Sequence, residues 1–201
     1  MTTNLSAKEI EEEIAGGNLR ILESCGRDAY DCEVLIVDDN GNPVTPPGKG
    51  EMIVRTLGNS LGYWRKEEQT KKAFRNGWFY TEDVCLIDER RYVYVIDRKK
   101  DMIITGGENV YPAEIERVVN GHPAVRESSA IGVPHPVWGE AIATIVVLNE
   151  GARLEAADLI QYCKGKIAGY KVPKIVHFIK EMPLNSTGKI SKPDLRRQFG
   201  A

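Results

Sequence analysis

The chain has 201 residues, of which 42% are hydrophobic, enough to form the core of one large domain or two small ones. Its 27 Lys and Arg residues are interspersed with 29 Asp and Glu residues, for a formal net charge of -2, which excludes the basic surface that a nucleic-acid-binding protein needs. The longest apolar runs, such as Ile142 to Leu148, are strand-sized and too short to cross a bilayer. The N-terminus is acidic, unlike a secretory signal.

Cysteine and histidine usage favours a reduced, metal-free protein. The four cysteines, Cys25, Cys32, Cys85 and Cys163, show no CxxC spacing. Isolated cysteines of this kind are typical of free thiols, so we expect a cytoplasmic protein. The three histidines are too scattered along the chain to form a zinc ligand set, and we predict no bound structural metal.

The first half of the chain reads as mostly β. Ser6 and Glu9 form a capping-box pattern that predicts a short helix from Ser6 to Ile14. Residues rich in strand formers and separated by turns such as Asp39-Asn40-Gly41-Asn42 and Asn76-Gly77 then predict a β-meander. The predicted elements are strands at Glu33 to Val37, Glu51 to Arg55, Trp78 to Thr81 and Arg91 to Ile96, and a helix at Lys66 to Phe74.

A charge cluster, Asp97-Arg98-Lys99-Lys100-Asp101, lies between two apolar strands and resembles a linker, so we place a domain boundary there, between residues 1–97 and 98–201. Beyond it the pattern predicts a small α+β sandwich. Its predicted elements are a strand at Met102 to Thr105, a glycine loop at Gly106-Gly107, helices from Pro112 to Asn120 and Glu155 to Ile167, and strands at Glu127 to Val133, Ala141 to Leu148 and Ile175 to Ile179. Leu159, Ile160, Cys163 and Ile167 share one face of the second helix.

The segment Pro183-Leu184-Asn185-Ser186-Thr187-Gly188-Lys189-Ile190 combines turn-forming residues with a lysine. An exposed lysine in such a turn can meet a phosphate or a carboxylate as a point charge. Spacing alone leaves open whether Lys189 is functional or an ordinary surface lysine.

Seven motifs occur in a fixed order and together resemble the acyl-CoA synthetases, which share a superfamily with peptide-synthetase adenylation domains and beetle luciferases. The resemblance runs from about Ser24 to Arg197. The motifs are Gly50-Glu51-Met52-Ile53-Val54-Arg55, Gly62-Tyr63-Trp64, Gly77-Trp78-Phe79-Tyr80-Thr81-Glu82-Asp83, Asp97-Arg98-Lys99-Lys100-Asp101-Met102-Ile103, Gly106-Gly107-Glu108-Asn109-Val110-Tyr111-Pro112-Ala113-Glu114-Ile115-Glu116, Gly169-Tyr170-Lys171-Val172-Pro173, and the Lys189 segment.

The resemblance implies an α+β fold, with a mostly-β subdomain that is the barrel remnant of the large domain, followed by a small mobile lid domain. It implies that Asp83 accepts hydrogen bonds from the ATP ribose and that Arg98 holds nucleotide oxygens. It makes Lys100 the hinge about which the lid turns between two half-reactions.

The same resemblance implies that Gly106 and Gly107 line the CoA channel. It implies that Lys189 bridges the carboxylic acid substrate and the α-phosphate, supplementing Mg²⁺. The expected reaction joins a fatty or aryl acid to CoA, with ATP as cosubstrate, through an acyl adenylate.

Two substitutions depart from the family pattern. Glu82 stands where the family usually has glycine, and it could tilt Asp83 away from a ribose. Asp88-Glu89-Arg90-Arg91 lacks the glycine usual in that turn, which should affect only the turn.

The family's phosphate loop and its Tyr-Gly-x-Thr-Glu motif would precede this sequence, so we expect an inactive fragment, excised or truncated, of a longer ligase that lacks its N-terminal lobe. Two alternatives stay open. One is a non-catalytic lid module that binds a nucleotide or a partner chain. The other is part of an adenylation domain that loads a carrier protein.

Overall fold

The computed structural model describes residues 2–200, which divide into two compact units. The first unit ends at Lys100 and the second begins at Asp101. No helix within residues 2–200 is both long and apolar enough to span a membrane. Each unit has its own sheet and core, so each is described separately.

The first unit is mostly β, as predicted. Strand β6 is central in an antiparallel sheet, with β4 along one edge and β5 and β7 sharing the other, while β3 pairs with β4. A second, two-stranded sheet joins β1 to β2. The elements are β1 (Thr3–Asn4), α1 (Ala7–Ala15), β2 (Arg27–Asp28), β3 (Cys32–Val37), β4 (Gly48–Thr56), α2 (Glu67–Ala73), β5 (Phe74–Arg75), β6 (Trp78–Ile87) and β7 (Val93–Arg98).

The second unit is α+β, also as predicted. Strands β10 and β11 form a long antiparallel pair, β12 runs parallel to β11, and the short hairpin β8–β9 joins the other side of β11 through β8. The elements are β8 (Ile103–Thr105), β9 (Glu108–Val110), α3 (Pro112–Asn120), β10 (Val125–His135), β11 (Gly139–Leu148), α4 (Ala156–Cys163), β12 (Ile175–Phe178) and α5 (Lys192–Phe199).

Apolar side chains on the two faces of the second sheet form two cores. One face packs against α3 and α4 through residues such as Ile115, Val119 and Leu159. The other face packs against α5 through Leu195. The predicted apolar face of the helix is confirmed in part: Leu159 and Cys163 are fully buried, Ile160 packs against the same core, and Ile167 packs there too but lies beyond the end of α4.

Three local predictions were wrong or incomplete. Helix α4 ends at Cys163, four residues before the predicted end, because Lys164 is extended and Gly165 has a φ of +79°. The glycine loop continues into strand β9 rather than leading directly to the helix. Helix α5 was not predicted. Only Leu195 and Phe199 give it an apolar face, and Pro193 resembles a helix breaker although it lies in the first turn, where proline is tolerated.

Candidate active site

Asp83 and Arg98 are neighbours on antiparallel strands of the first unit. Their Cα positions are paired across β6 and β7, and Arg98 Nε donates to Asp83 Oδ1 at 2.7 Å. The Asp83 amide donates to Thr81 Oγ1 at 3.0 Å, and that hydroxyl donates to the Met52 carbonyl at 2.8 Å. These contacts fix both the carboxylate and the backbone of the Thr81 to Asp83 segment.

Glu82 has a φ of +60°, in the left-handed region that glycine adopts without strain. The strand is irregular at this point, because the register of β6 with β4 shifts between Glu51 and Ile53. The Glu82 amide donates to Glu51 Oε1 at 3.3 Å, which helps to hold the strained backbone. Arg91, in the turn that lacks its usual glycine, has a φ of +68°. Both departures noted in the sequence therefore coincide with left-handed backbone.

Asp83 and Arg98 line a cavity of about 940 Å³ in the first unit, which we call the Asp83 cavity. Its wall combines aromatic rings with cations, and this set was not identified from the sequence. The members are Tyr63, Phe79 and Tyr80 among the rings, and Lys72, Arg75, Lys99 and Lys100 among the cations. The guanidinium of Arg75 lies 3.7 Å from the centre of the Tyr80 ring. The three rings belong to two motifs noted in the sequence, Gly62-Tyr63-Trp64 and Gly77-Trp78-Phe79-Tyr80-Thr81-Glu82-Asp83, but nothing in those motifs placed them in one cavity.

Lys100 is exposed and lies in a 3-10 turn, Lys99–Asp101, at the end of the first unit. Its neighbour Lys99 is anchored, because Lys99 Nζ lies 3.0 Å from Asp39 Oδ1 and 3.3 Å from Glu51 Oε2. The hydrogen bonds to Asp39 and Glu51 raise the pKa of Lys99 above its usual value. At the boundary between the two units in the sequence, the anchored Lys99 is therefore followed by the exposed Lys100.

Gly106 and Gly107 form the two-residue turn of the β8–β9 hairpin in the second unit. Their φ values are +58° and +84°, as a type I′ hairpin turn requires. A Cβ atom at either position would meet nothing within 4 Å, so backbone conformation and not crowding explains the glycines. The Gly106 amide donates to the Trp138 carbonyl at 2.9 Å, which ties the turn to the start of β11.

Lys189 is carried by a tight turn that we call the Lys189 hairpin, residues 184–190. Leu184 and Ile190 form an antiparallel bridge at its base. The Asn185 side-chain oxygen accepts from the Thr187 amide at 2.9 Å and from the Lys189 amide at 3.0 Å, so the side chain organises the turn from inside. The Lys189 side chain is exposed, and its ammonium has no ion-pair partner within residues 2–200.

The structure brings Asp83 and Arg98 together, and it places Gly106, Gly107 and Lys189 on two hairpins of the second unit. Within residues 2–200, no group of three or more His, Cys, Asp and Glu side chains could hold a metal ion.

Residues 114–189 match the family described as AMP-binding enzyme C-terminal domain. The chain is 42% identical over 177 residues to feruloyl-CoA synthase of Amycolatopsis sp, covering 88% of this chain and 36% of that protein. It is 42% identical over 199 residues to the long-chain-fatty-acid--CoA ligase FadD13 of Mycobacterium tuberculosis, covering 96% and 39%. Among solved structures, o-succinylbenzoate CoA synthetase (MenE) from Bacillus subtilis matches with a TM-score of 0.85 at 33% identity, over 98% of this chain and 38% of that chain.

The chain is therefore homologous to enzymes of the adenylate-forming, AMP-binding superfamily, and residues 114–189 match their C-terminal domain. More narrowly, it is homologous to acid:CoA ligases and corresponds to their C-terminal part. It spans a little over a third of the length of these relatives.

Proposed function

We propose that this chain is the C-terminal part of an ATP-dependent acid:CoA ligase, which converts a carboxylic acid, ATP and CoA into an acyl-CoA, AMP and pyrophosphate. The observation that carries the proposal is Lys189, an exposed ammonium without an ion-pair partner in residues 2–200, on a hairpin that Asn185 holds in shape. The homology to CoA ligases supports the same reaction class.

The Asp83 cavity suits the nucleoside end of ATP. Asp83 offers carboxylate oxygens, which only accept hydrogen bonds and so match ribose hydroxyl groups. Arg98 holds that carboxylate through Nε, and its side chain is 52% exposed, so the guanidinium can also reach a nucleotide oxygen. The nearby rings of Tyr63 and Tyr80 provide flat apolar surface in the same cavity.

Lys189 supplies charge stabilisation during adenylate formation. As the carboxylate oxygen attacks the α-phosphorus and pyrophosphate leaves, negative charge grows on the phosphate oxygens. An ammonium that is not already paired with a carboxylate can stabilise that charge in the transition state. Mg²⁺ accompanies the triphosphate and neutralises part of its charge when bound.

The second half-reaction would use the other hairpin of the same unit. Gly106 and Gly107 leave open space beside their backbone, which suits the thin pantetheine arm of CoA. Lys100 would act as the hinge between the two half-reactions, because it is exposed and lies where the two units meet in sequence.

The acid is fatty or aryl in this proposal, in line with the relatives' names. The triphosphate cradle and the acyl pocket would be supplied by the N-terminal lobe of the ligase, so this chain alone would be inactive. The enzyme would act in the cytoplasm.

A reconstitution experiment tests the proposal. The chain would be mixed with a separately produced N-terminal lobe of a close relative, and ATP–pyrophosphate exchange and CoA thioester formation would be assayed. We expect turnover that falls by about 10² or more in Lys189→Ala. Lys180→Ala is the matched control, because Lys180 is also an exposed lysine of the second unit but lies outside the hairpin.

Two outcomes contradict the proposal. Full adenylation in Lys189→Ala would remove the proposed role of the ammonium. Nucleotide binding without turnover in the reconstituted protein would instead favour a non-catalytic lid module.

A further inference from the structure

We propose that Glu116, together with Lys192, is a positioning pair that holds the Lys189 hairpin in place. The proposal rests on the proposed role of Lys189, and it concerns two residues that lie outside the hairpin. Glu116 is on α3 and Lys192 is the first residue of α5, three positions after Lys189.

Glu116 joins three parts of the second unit through one carboxylate oxygen. Glu116 Oε1 lies 2.9 Å from Lys192 Nζ on α5. The same oxygen accepts from the Ala130 amide at 2.8 Å and from the Ser129 hydroxyl at 3.2 Å on β10. The Glu116 side chain is 21% exposed and that of Lys192 is 15% exposed, so water competes little for this contact.

The position of Lys192 makes its partner necessary. The N-terminus of a helix carries partial positive charge, so a lysine at the first helical position is unfavourable on its own. The Glu116 carboxylate offsets that repulsion and at the same time attaches the helix start to the sheet. Loss of the charge on Glu116 would leave a mostly buried ammonium unpaired at the wrong end of a helix.

Movement at the start of α5 passes directly to the hairpin. Ser191 joins the two, and its amide donates to the Pro183 carbonyl at 2.8 Å, next to the Leu184 and Ile190 bridge. The turn beyond that base is held by contacts within itself, mainly those of Asn185. The direction in which the hairpin projects Lys189 is therefore set at its base.

The chain offers a matched control on the same helix. Glu114 lies two residues before Glu116 on α3, and its Oε2 is 2.7 Å from Lys171 Nζ. That pair attaches α3 to the 3-10 turn Gly169–Lys171, and within residues 2–200 neither of its side chains forms a hydrogen bond or ion pair with α5. Hydrogen bonding to Glu114 raises the pKa of Lys171, so this pair is also well formed.

Hydrogen exchange on this chain gives the first test. We expect Glu116→Gln, which keeps the acceptor for the Ala130 amide but loses the charge, to speed exchange in residues 184–191 by about tenfold. Lys192→Met should speed exchange in the same residues, whereas Lys192→Arg, which keeps the charge, should exchange like the parent. The double variant Glu116→Gln/Lys192→Met should exchange no faster than either single variant. Glu114→Gln should speed exchange around residues 169–171 and leave 184–191 unchanged.

Three results would overturn the positioning role. These are unchanged exchange in 184–191 for Glu116→Gln, equal acceleration in Glu114→Gln, or acceleration spread evenly over the second unit, which would mean general destabilisation.

The half-reactions give the second test, in the reconstituted protein. Glu116→Gln should slow adenylate formation by about tenfold and leave thioester formation from a supplied acyl adenylate unchanged. If Lys189→Ala keeps full adenylation, the proposed function fails whatever the exchange data show. If Lys189→Ala is slow but Glu116→Gln is not, only the positioning role fails.

Discussion

Some non-glycine residues of this protein adopt the left-handed backbone conformation, which a side chain makes unfavourable. Glu82 and Arg91 have positive φ values in the two segments that lack a usual glycine. Around Glu82, contacts of Glu51, Thr81 and Arg98 hold the segment. The surrounding hydrogen bonds therefore determine the local geometry, and the strain is borne by the substituted residue.

We predict that Glu82→Gly stabilises the first unit by about 1 kcal/mol, because glycine adopts a positive φ without the Cβ clash. The lost ion pair with Lys72 spans 3.9 Å between exposed side chains and contributes little. Urea unfolding of the purified chain measures the change. Arg91→Gly should behave alike, whereas Glu89→Gly, at an exposed residue with negative φ, should not stabilise. A loss of stability in Glu82→Gly would contradict the strain argument.

Elements whose signals are local could be predicted from the sequence. Helix α1 begins with the capping box that the sequence indicated, since Ser6 accepts from the Glu9 amide and the Glu9 side chain accepts from the Ser6 amide. The Asn76-Gly77 turn was also predicted from local sequence, because these two residue types favour a tight hairpin turn. In the structure both residues have the positive φ that such a turn needs.

Elements that depend on distant contacts could not be predicted. Helix α5 is mostly polar, and it is held by burial of Leu195 and by ion pairs to residues far away in sequence. The Asp83 cavity could not be predicted for the same reason, because its cations and rings come from the loop before α2, from α2, β5, β6 and β7, and from the turn after β7. The pairing of Asp83 with Arg98 likewise required the register of β6 and β7.

We predict that Glu9 stabilises α1 in a pH-dependent way. Hydrogen bonds from Ser6, and then from Arg27, lower the pKa of Glu9 from 4.5 to about 2. Because the folded pKa lies below the unfolded one, this contribution is fully present above about pH 4.5 and is lost as the pH falls towards 2. Glu9→Gln should therefore be less stable than the parent at pH 7, with a difference that shrinks on acidification.

Urea midpoints between pH 2 and 8 would measure this effect. Glu12→Gln is the control on the same helix, because the only side-chain ion pair of Glu12 within residues 2–200 is an exposed one with Lys8 at 3.8 Å. Its effect should be small at every pH. A Glu9→Gln difference of the same size at pH 3 and pH 7 would contradict the linkage.

At the scale of the whole molecule, two units with separate cores follow one another in the chain. Cys85 and Val93 are buried in the core of the first unit, and Ile115 and Ile142 in that of the second. The division lies between Lys100 and Asp101, whereas the sequence indicated a boundary after Asp97, inside β7. The functional division into large domain and lid stays a prediction.

We predict that residues 1–100 and 101–201, produced separately, each unfold in one cooperative transition, because each contains a complete sheet and core. A piece ending at Ile96 is the control. It lacks Asp97 and Arg98, which pair with Val84 and Asp83, so it should be less stable than 1–100. Circular dichroism on heating measures all three. Absence of a transition in 101–201 would contradict independent folding.

The ion pair between Arg196 and Asp101, at 3.0 Å, has a topological consequence. It attaches α5 to the first residue of the second unit, so the two ends of this unit lie close together in space. When the two ends of a domain lie close together, they can be joined by a linker and new termini opened at a surface turn without disturbing the core, as in circular permutation. The exposed turn around Gly151 is such a place, and a permuted protein starting there would keep the sheet and both helical layers.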